Sequence, residues 1–117
     1  MPSIRDLITA IRQRDGVDAV IVSGRDGLVI DSQVGPGLDV DDLAARVPPI
    51  VNAADELGVA SSGGELVTAV LEHHGRLAII SVLSADTCLL VLVAPRANIG
   101  QLLFDLRRRR EHIAALV

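Results

Sequence analysis

Side chains that could act in catalysis or bind a metal are few in this chain, and their spacing does not suit either role. His73 and His74 are adjacent, so on a strand their side chains point to opposite faces, which is poor geometry for two ligands of one metal ion. A serine nucleophile must be activated by an adjacent base. Ser61 and Ser62 have no nearby base at a recognisable spacing. Neither pair predicts a catalytic or metal centre.

The acidic residues and the single cysteine also have structural explanations. The carboxylates of Asp39, Asp41 and Asp42 lie at a predicted helix start, where the helix dipole favours negative charge. Cys88 lies inside an apolar run and is expected to be a small buried hydrophobe. We therefore expect no catalytic residues, no metal and no cofactor, and a protein that is not an enzyme.

Composition limits the function further. The 117 residues are half apolar, 1% aromatic and carry a net charge of −4, so base-stacking platforms are lacking and phosphate backbones are repelled on average. We expect no nucleic-acid binding. The size fits one domain over residues 1–117, and no apolar run approaches the length of a membrane span. These features favour a cytoplasmic protein without membrane insertion.

The elements must be organised around a hairpin, which we predict over residues 17–32 with Gly24 and Gly27 in its turn. Its runs at 19–22 and 28–30 are apolar at every position, which indicates strands covered on both faces. An amphipathic helix precedes the hairpin, begins with the capping pair Ser3 and Asp6, and ends near residue 16.

A second helical pattern runs from Asp39 to Gly58 and contains Pro48 and Pro49. Proline disfavours helical geometry before it and removes a backbone donor, so the alternatives are one bent helix or two short ones. We expect one continuous, bent element. Its far side, at residues 45, 49 and 53, is only mildly polar, which suits either close contact with another helix or simple filling by alanine.

Three strand-like runs follow the flexible connection at residues 61–64, and they span residues 65–73, 77–83 and 87–94. Their hairpin-length breaks predict an antiparallel meander. The last run is apolar throughout and should be central, whereas the first is the most polar and should be an edge strand. An open edge must be blunted, covered or paired with another chain.

A final helix is predicted after Asn98, its candidate cap, with Arg107 to Arg110 in its second half. The arginines are explained as a solvated face near a helix C-terminus, or as a site for an acidic partner or an anionic lipid. We favour the solvated face, because adjacent helical residues point in different directions. Phe104 lies off the apolar stripe of this helix, and the sequence assigns it neither to the core nor to a site.

A family resemblance is carried by residues 16–22, by residues 25–32, and by the late Asn98-Ile99-Gly100 that leads into Leu102 and Leu103. These stretches resemble the roadblock (dynein light chain) family over essentially the whole chain. Among bacterial members the chain is similar to the MglB type. The resemblance implies an α/β (α+β) fold, a three-layer α/β/α sandwich with a five-stranded antiparallel sheet, the profilin-like roadblock fold.

The same resemblance implies a dimer, with itself or with a paralogue. The second helices would pack together, and the third strands would pair edge to edge. Carried onto this sequence, the interface comprises Leu43, Val47, Ile50, Val51 and Ala54 on the helix, and Leu66, Thr68 and Val70 or their alternate neighbours on the strand.

The function implied by the resemblance is regulatory. MglB-type proteins act on Ras-like small GTPases, so we expect a dimeric adaptor that binds such a GTPase and biases its nucleotide state. The alternative is a scaffold or dimerisation module without effect on nucleotide turnover. A third option is a small-molecule sensor, for which a filled pocket between sheet and helix would be the evidence.

Overall fold

The computed structural model of the chain describes residues 3–117. The helices are α1 (Ile4–Arg12), α2 (Val40–Ala60) and α3 (Gly100–Ala114). The strands are β1 (Val17–Gly24), β2 (Val29–Val34), β3 (Thr68–Glu72), β4 (Leu77–Val82) and β5 (Thr87–Val93). The element order is the predicted one. The first two residues of the predicted 1–117 domain lie outside the described residues.

All five strands form one antiparallel sheet in the order β2-β1-β5-β4-β3. The apolar β5 is central and the polar β3 is an edge, as predicted. For the pairs β1–β2, β3–β4 and β4–β5, antiparallel pairing follows from short turns that leave no room for a crossover. The central β1–β5 pair joins distant parts of the chain. The predicted three-layer α/β/α fold with a five-stranded sheet is confirmed.

Two apolar cores lie on opposite faces of the sheet. The first packs α1 and α3 against one face, with Ile8, Val20 and Ile113 fully buried in it. The second packs α2 against the other face around Ile21 and Ile80. Because β1, β4 and β5 contribute to both cores, their sequences are nearly continuous apolar runs.

Local signals explain where the first elements begin. Ser3 and Asp6 form a capping box, in which the Asp6 N–H donates to Ser3 Oγ at 3.2 Å and the Ser3 N–H donates to Asp6 Oδ2 at 3.0 Å. Two orphan donors of the first turn are thereby satisfied. Gly27 has a φ of +88° in the β1–β2 turn, a conformation that disfavours any residue with a Cβ.

The α2 helix is continuous through Pro48 and Pro49, as expected. Its N-cap is Asp39, whose Oδ1 accepts from the Asp42 N–H at 3.1 Å. Each proline removes one backbone donor from the helix. The buried Val47 and Val51 on either side pack against the sheet, and such tertiary packing is what stabilises most protein helices.

Two expectations are wrong, one about the covering of β2 and one about the residue that caps α3. The strand β2 is not covered on both faces: it is the second edge, and Leu28 and Ile30 are exposed. Ile30 has no partner on β1, because Ser23 pairs with Val29 and Val22 pairs with Asp31, so it forms a bulge. The N-cap of α3 is Ile99 rather than Asn98, whose Oδ1 accepts from the Gly100 N–H at 3.1 Å.

Candidate interaction surface

The C-terminal half of α2 and the edge strand β3 enclose an open groove of about 470 Å³. We call this region the α2–β3 surface. Its lining is mostly apolar, and the β3 backbone at its side is unpaired within the described chain because β3 is the last strand of the sheet. The groove is lined by Ala54, Leu57, Gly58, Ser61, Gly63, Gly64, Glu65, Leu66, Val67, Thr68, Ala69 and Val70.

Exposed apolar side chains are concentrated on this surface. Among the residues that the structure describes, eight large hydrophobic side chains are exposed. Three of them, Leu57, Val67 and Val70, line the groove, whereas Val59 on the last turn of α2 does not. Single exposed hydrophobics are ordinary, whereas a contiguous apolar patch beside an open strand edge marks an interaction site.

An ion pair fixes the geometry at the rim of this surface. Asp55 on α2 accepts a hydrogen bond from Arg25 Nη2 at 2.8 Å and one from the Leu66 N–H at 2.7 Å. Arg25 belongs to the β1–β2 turn, and its own N–H donates to the Asp86 carbonyl at 2.8 Å. Asp55 therefore ties the end of α2 both to the neighbouring turns and to the segment that leads into β3.

These contacts lower the pKa of Asp55 below its ordinary value of 3.8, chiefly through the hydrogen bond from the Leu66 N–H and then through that from Arg25. A carboxyl group with a lowered pKa stabilises the fold above its ordinary pKa, and the stabilisation is lost as the pH falls. The contribution of Asp55 is thus complete above about pH 5 and disappears as the pH falls through and below 3.8.

Replacing Asp55 by Asn tests this contribution, because the amide keeps an acceptor for Leu66 but removes the charge that Arg25 contacts. We expect the variant to melt below wild type at pH 7 and the difference to shrink as the pH falls below 3.8. Thermal melts across pH measure the difference. Glu56→Gln removes an exposed carboxylate next to it and is the control. A difference that stays constant with pH would contradict the assignment.

The chain following α2 folds back tightly onto Gly58. The Gly58 carbonyl accepts from the N–H groups of Gly63 and Gly64 at 2.7 and 3.1 Å, and from Ser61 Oγ at 3.1 Å. A Cβ added at Gly58 would lie 1.9 Å from the Gly64 carbonyl oxygen. This close backbone approach brings the segment before β3 back beside the helix and closes one end of the groove.

Four of the eight predicted interface residues line this surface, and four lie elsewhere on α2. Ala54, Leu66, Thr68 and Val70 line the groove, while Leu43 and Ile50 are half-buried further along α2. Val47 and Val51 are fully buried against the chain's own sheet. Their side chains are therefore part of the chain's own core, and a contact of these two residues with a partner stays a prediction.

Leu57 on this surface was not predicted as a contact residue, and Val67 was included only as an alternate neighbour of the predicted strand positions. Leu57 and Val67 lie within the apolar pattern of the sequence, and their exposure depends on where the sheet ends beneath them. The Arg25–Asp55 ion pair joins residues far apart in sequence, and the Gly58–Gly64 approach depends on how the chain turns after α2. No local signal marks them, although a glycine near a predicted helix end is consistent with a close backbone contact.

The residues weighed for chemistry are not brought together. His73 and His74 are exposed at the β3–β4 turn, and no group of three or more metal-ligating side chains occurs within residues 3–117. Burial raises the pKa of the Cys88 thiol, which disfavours the reactive thiolate.

An apolar cavity of about 260 Å³ lies between the N-terminal half of α2 and the sheet. Leu43 and Ile50 line it from the helix, and Leu71, Ile80 and Leu92 line it from the sheet. No helix in the described part of the chain is both long and apolar enough to cross a bilayer.

One long helix packs on one face of the five-stranded antiparallel sheet, and the two terminal helices pack on the other. Known proteins share this arrangement. The model of the Roadblock/LC7 domain matches residues 4–93. The chain belongs to the Roadblock/LC7 domain family.

Similar proteins cover nearly its whole length. An uncharacterized protein of Methanocaldococcus jannaschii, MJ1340, is 25% identical over 94% of this chain and 96% of its own. A Roadblock/LC7 domain from Streptomyces avermitilis superposes with a TM-score of 0.83 at 23% identity, covering 97% of both chains. Myxococcus xanthus MglB gives a TM-score of 0.85 at 16% identity over 97% of this chain and 93% of MglB. At these identities the structural matches establish the fold.

Proposed function

We propose that the chain forms a homodimer through its α2–β3 surface. The observation that supports this proposal is that an unpaired edge strand lies beside a groove lined by three exposed apolar side chains, Leu57, Val67 and Val70. Pairing β3 with β3 of a second copy would satisfy both open edges at once, which a two-fold axis allows because each copy presents the same patch. It would also bring the two α2 helices together and cover Leu57.

We further propose that this dimer is a non-enzymatic regulator of a Ras-like small GTPase. The proposal is supported by the resemblance to MglB-type proteins and by a fold that superposes on MglB over almost all of this chain. Such a regulator needs no catalytic residue of its own. By binding the switch segments of the GTPase more tightly in one nucleotide state, it shifts the population of conformations and so changes nucleotide turnover.

The test uses the purified full chain and each Ras-like small GTPase encoded in the same genome, loaded with GDP or with a non-hydrolysable GTP analogue. We expect the affinities for the two states of one GTPase to differ about tenfold or more, within the usual range of such couplings. Calorimetry measures the affinities, and phosphate release measures hydrolysis. Absence of binding in every nucleotide state, together with an unchanged hydrolysis rate, would refute the GTPase proposal.

The scaffold alternative makes a different prediction in the same experiment. A scaffold or dimerisation module would bind a GTPase equally in both nucleotide states, or not at all, and would leave hydrolysis unchanged. Equal affinities would then favour assembly over regulation, because a ligand that binds two states equally shifts nothing. The homodimer proposal is independent of this result, since it is measured on the chain alone.

A further inference from the structure

The sheet separates two helical layers of opposite charge. The helices α1 and α3 together carry six arginines and three acidic residues, whereas α2 carries one arginine and four acidic residues. The chain as a whole has a net charge of −4, so the positive charge on one layer is not a general property of its surface. A negatively charged plane would attract the molecule by its α1–α3 side and repel it by its α2 side.

The positive charge is densest on α3. Arg107 to Arg110 occupy one helical turn, and the first three are exposed. Within residues 3–117 these four arginines form none of the ion pairs of the structure. The nearby carboxylate of Asp105 is already bound, by Arg14 and by Gln101, whose Nε2 donates to it at 3.0 Å.

An exposed aromatic ring accompanies these arginines. Phe104 is the only phenylalanine of the sequence, it is 56% exposed, and the Arg108 guanidinium carbon lies 5.9 Å from its ring centroid. The solvent face of α3 thus combines a large apolar side chain with cationic ones. Helices that lie in a membrane interface show this combination, with the ring at the acyl boundary and the arginines at the headgroups.

The radial spread of the arginines indicates which kind of anion they suit. Adjacent helical residues point in different directions, so four in a row cannot surround one carboxylate. A charged plane needs no such convergence. At 100° per residue Arg107 and Arg108 flank Phe104 on the solvent side of α3, and Arg109 and Arg110 follow further round the helix within about 5 Å along its axis. We propose that the basic face of α3, made of Phe104 and Arg107 to Arg110, docks the protein on an anionic phospholipid membrane.

Docking in this orientation leaves α2 and the α2–β3 surface facing away from the lipid, since they lie on the opposite side of the sheet or at its edge. The attachment is peripheral and involves no membrane-spanning helix. If the dimer proposed above forms, the continuous sheet places both basic faces on the same side, and the second contact adds avidity. The proposal itself rests on the single chain.

Sedimentation with vesicles tests it. The full-length protein is expected to bind phosphatidylcholine vesicles that contain about one third phosphatidylglycerol and to remain unbound with phosphatidylcholine alone, and raised salt should release it. Each arginine near such a surface contributes about 1 kcal/mol, or about fivefold in affinity. The double variant Arg107→Gln, Arg108→Gln should therefore bind about 25-fold more weakly.

Further variants separate docking from a general charge effect. Phe104→Ser should weaken binding severalfold, and Glu111→Gln, which removes an exposed acid from α3, should strengthen it. Arg46→Gln removes an exposed arginine from α2 on the opposite layer and should leave vesicle binding unchanged. All of these positions are exposed, and thermal melts verify that the variants remain folded.

Several results would overturn the proposal. Equal binding to neutral and anionic vesicles would do so, as would losses of the same size for Arg46→Gln and for the α3 variants. Binding to an acidic polypeptide such as polyglutamate, without binding to anionic vesicles, would assign the basic face to an acidic protein instead. None of these measurements involves a GTPase, so failure here and failure of the proposed function are distinguishable.

Discussion

Replacing Gly58 by alanine is expected to lower the free energy of unfolding by about 2–4 kcal/mol, a large effect for one methyl group. Helix propensity alone predicts the opposite sign, because alanine in a helix interior is favoured over glycine by about 1 kcal/mol. The backbone contact decides the outcome. A Cβ at this position would lie 1.9 Å from the Gly64 carbonyl oxygen, and no side-chain rotation relieves a clash with backbone.

Two structural responses are available to the variant, and both are costly. The segment from Ser61 to Gly64 can move away from α2, which breaks the hydrogen bonds that the Gly58 carbonyl accepts. Alternatively, the last turn of α2 can unwind. In either case the segment before β3 shifts, so the α2–β3 surface is displaced as well. We therefore expect the variant to dimerise more weakly than wild type, beyond its loss of stability.

Gly63→Ala is the matched control, since it changes the same residue type in the loop that contacts Gly58. A Cβ there would meet Ser61 Oγ at 3.4 Å and the Gly58 carbonyl at 3.6 Å, which are ordinary contact distances. Urea unfolding of both variants should show a marked loss for Gly58→Ala and a change within about 0.5 kcal/mol for Gly63→Ala. Equal losses would mean that glycine flexibility in the loop matters and the close approach does not.

Much of the fold was predictable from the sequence because its signals are local. The capping pair Ser3 and Asp6 predicts the start of α1, and short turns predict antiparallel neighbours. The contrast between the apolar β5 and the polar β3 correctly predicts centre and edge. The exception is β2. An apolar run shows that side chains avoid water in some way, but not whether a neighbouring strand or helix covers them, and here Leu28 and Ile30 remain exposed.

The candidate surface was less predictable, because it depends on how α2 is rotated about its axis. Leu43, Val47 and Ile50 all belong to one apolar pattern in the sequence. The sheet covers Val47 fully and leaves the other two only half-buried, and a rotation of a few tens of degrees would exchange those roles. Leu57 continues the same pattern, yet it extends past the covered area. Contacts such as Asp55 with Arg25 require the folded chain before they can be seen.

Replacing Leu57 by aspartate should weaken dimerisation about a hundredfold, equivalent to about 2.8 kcal/mol. Leu57 is 71% exposed in the single chain and lines the groove beside β3. In the proposed dimer its side chain is buried against the second copy, so the variant loses apolar contact and must also bury a charge without a partner. Because two-fold symmetry repeats the residue, each dimer contains the defect twice. Sedimentation velocity over a range of protein concentrations measures the dissociation constant.

Leu28→Asp is a close control for this experiment. Leu28 is 70% exposed, so the two substitutions remove the same side chain at the same accessibility, but Leu28 lies beside β2 at the opposite edge of the sheet. Both variants should unfold within about 0.5 kcal/mol of wild type, as surface substitutions do, and only Leu57→Asp should dissociate the dimer. If Leu28→Asp alone dissociates it, the copies associate through the β2 edge. If neither does, the exposed end of α2 has another partner, and the homodimer proposed for the α2–β3 surface is wrong.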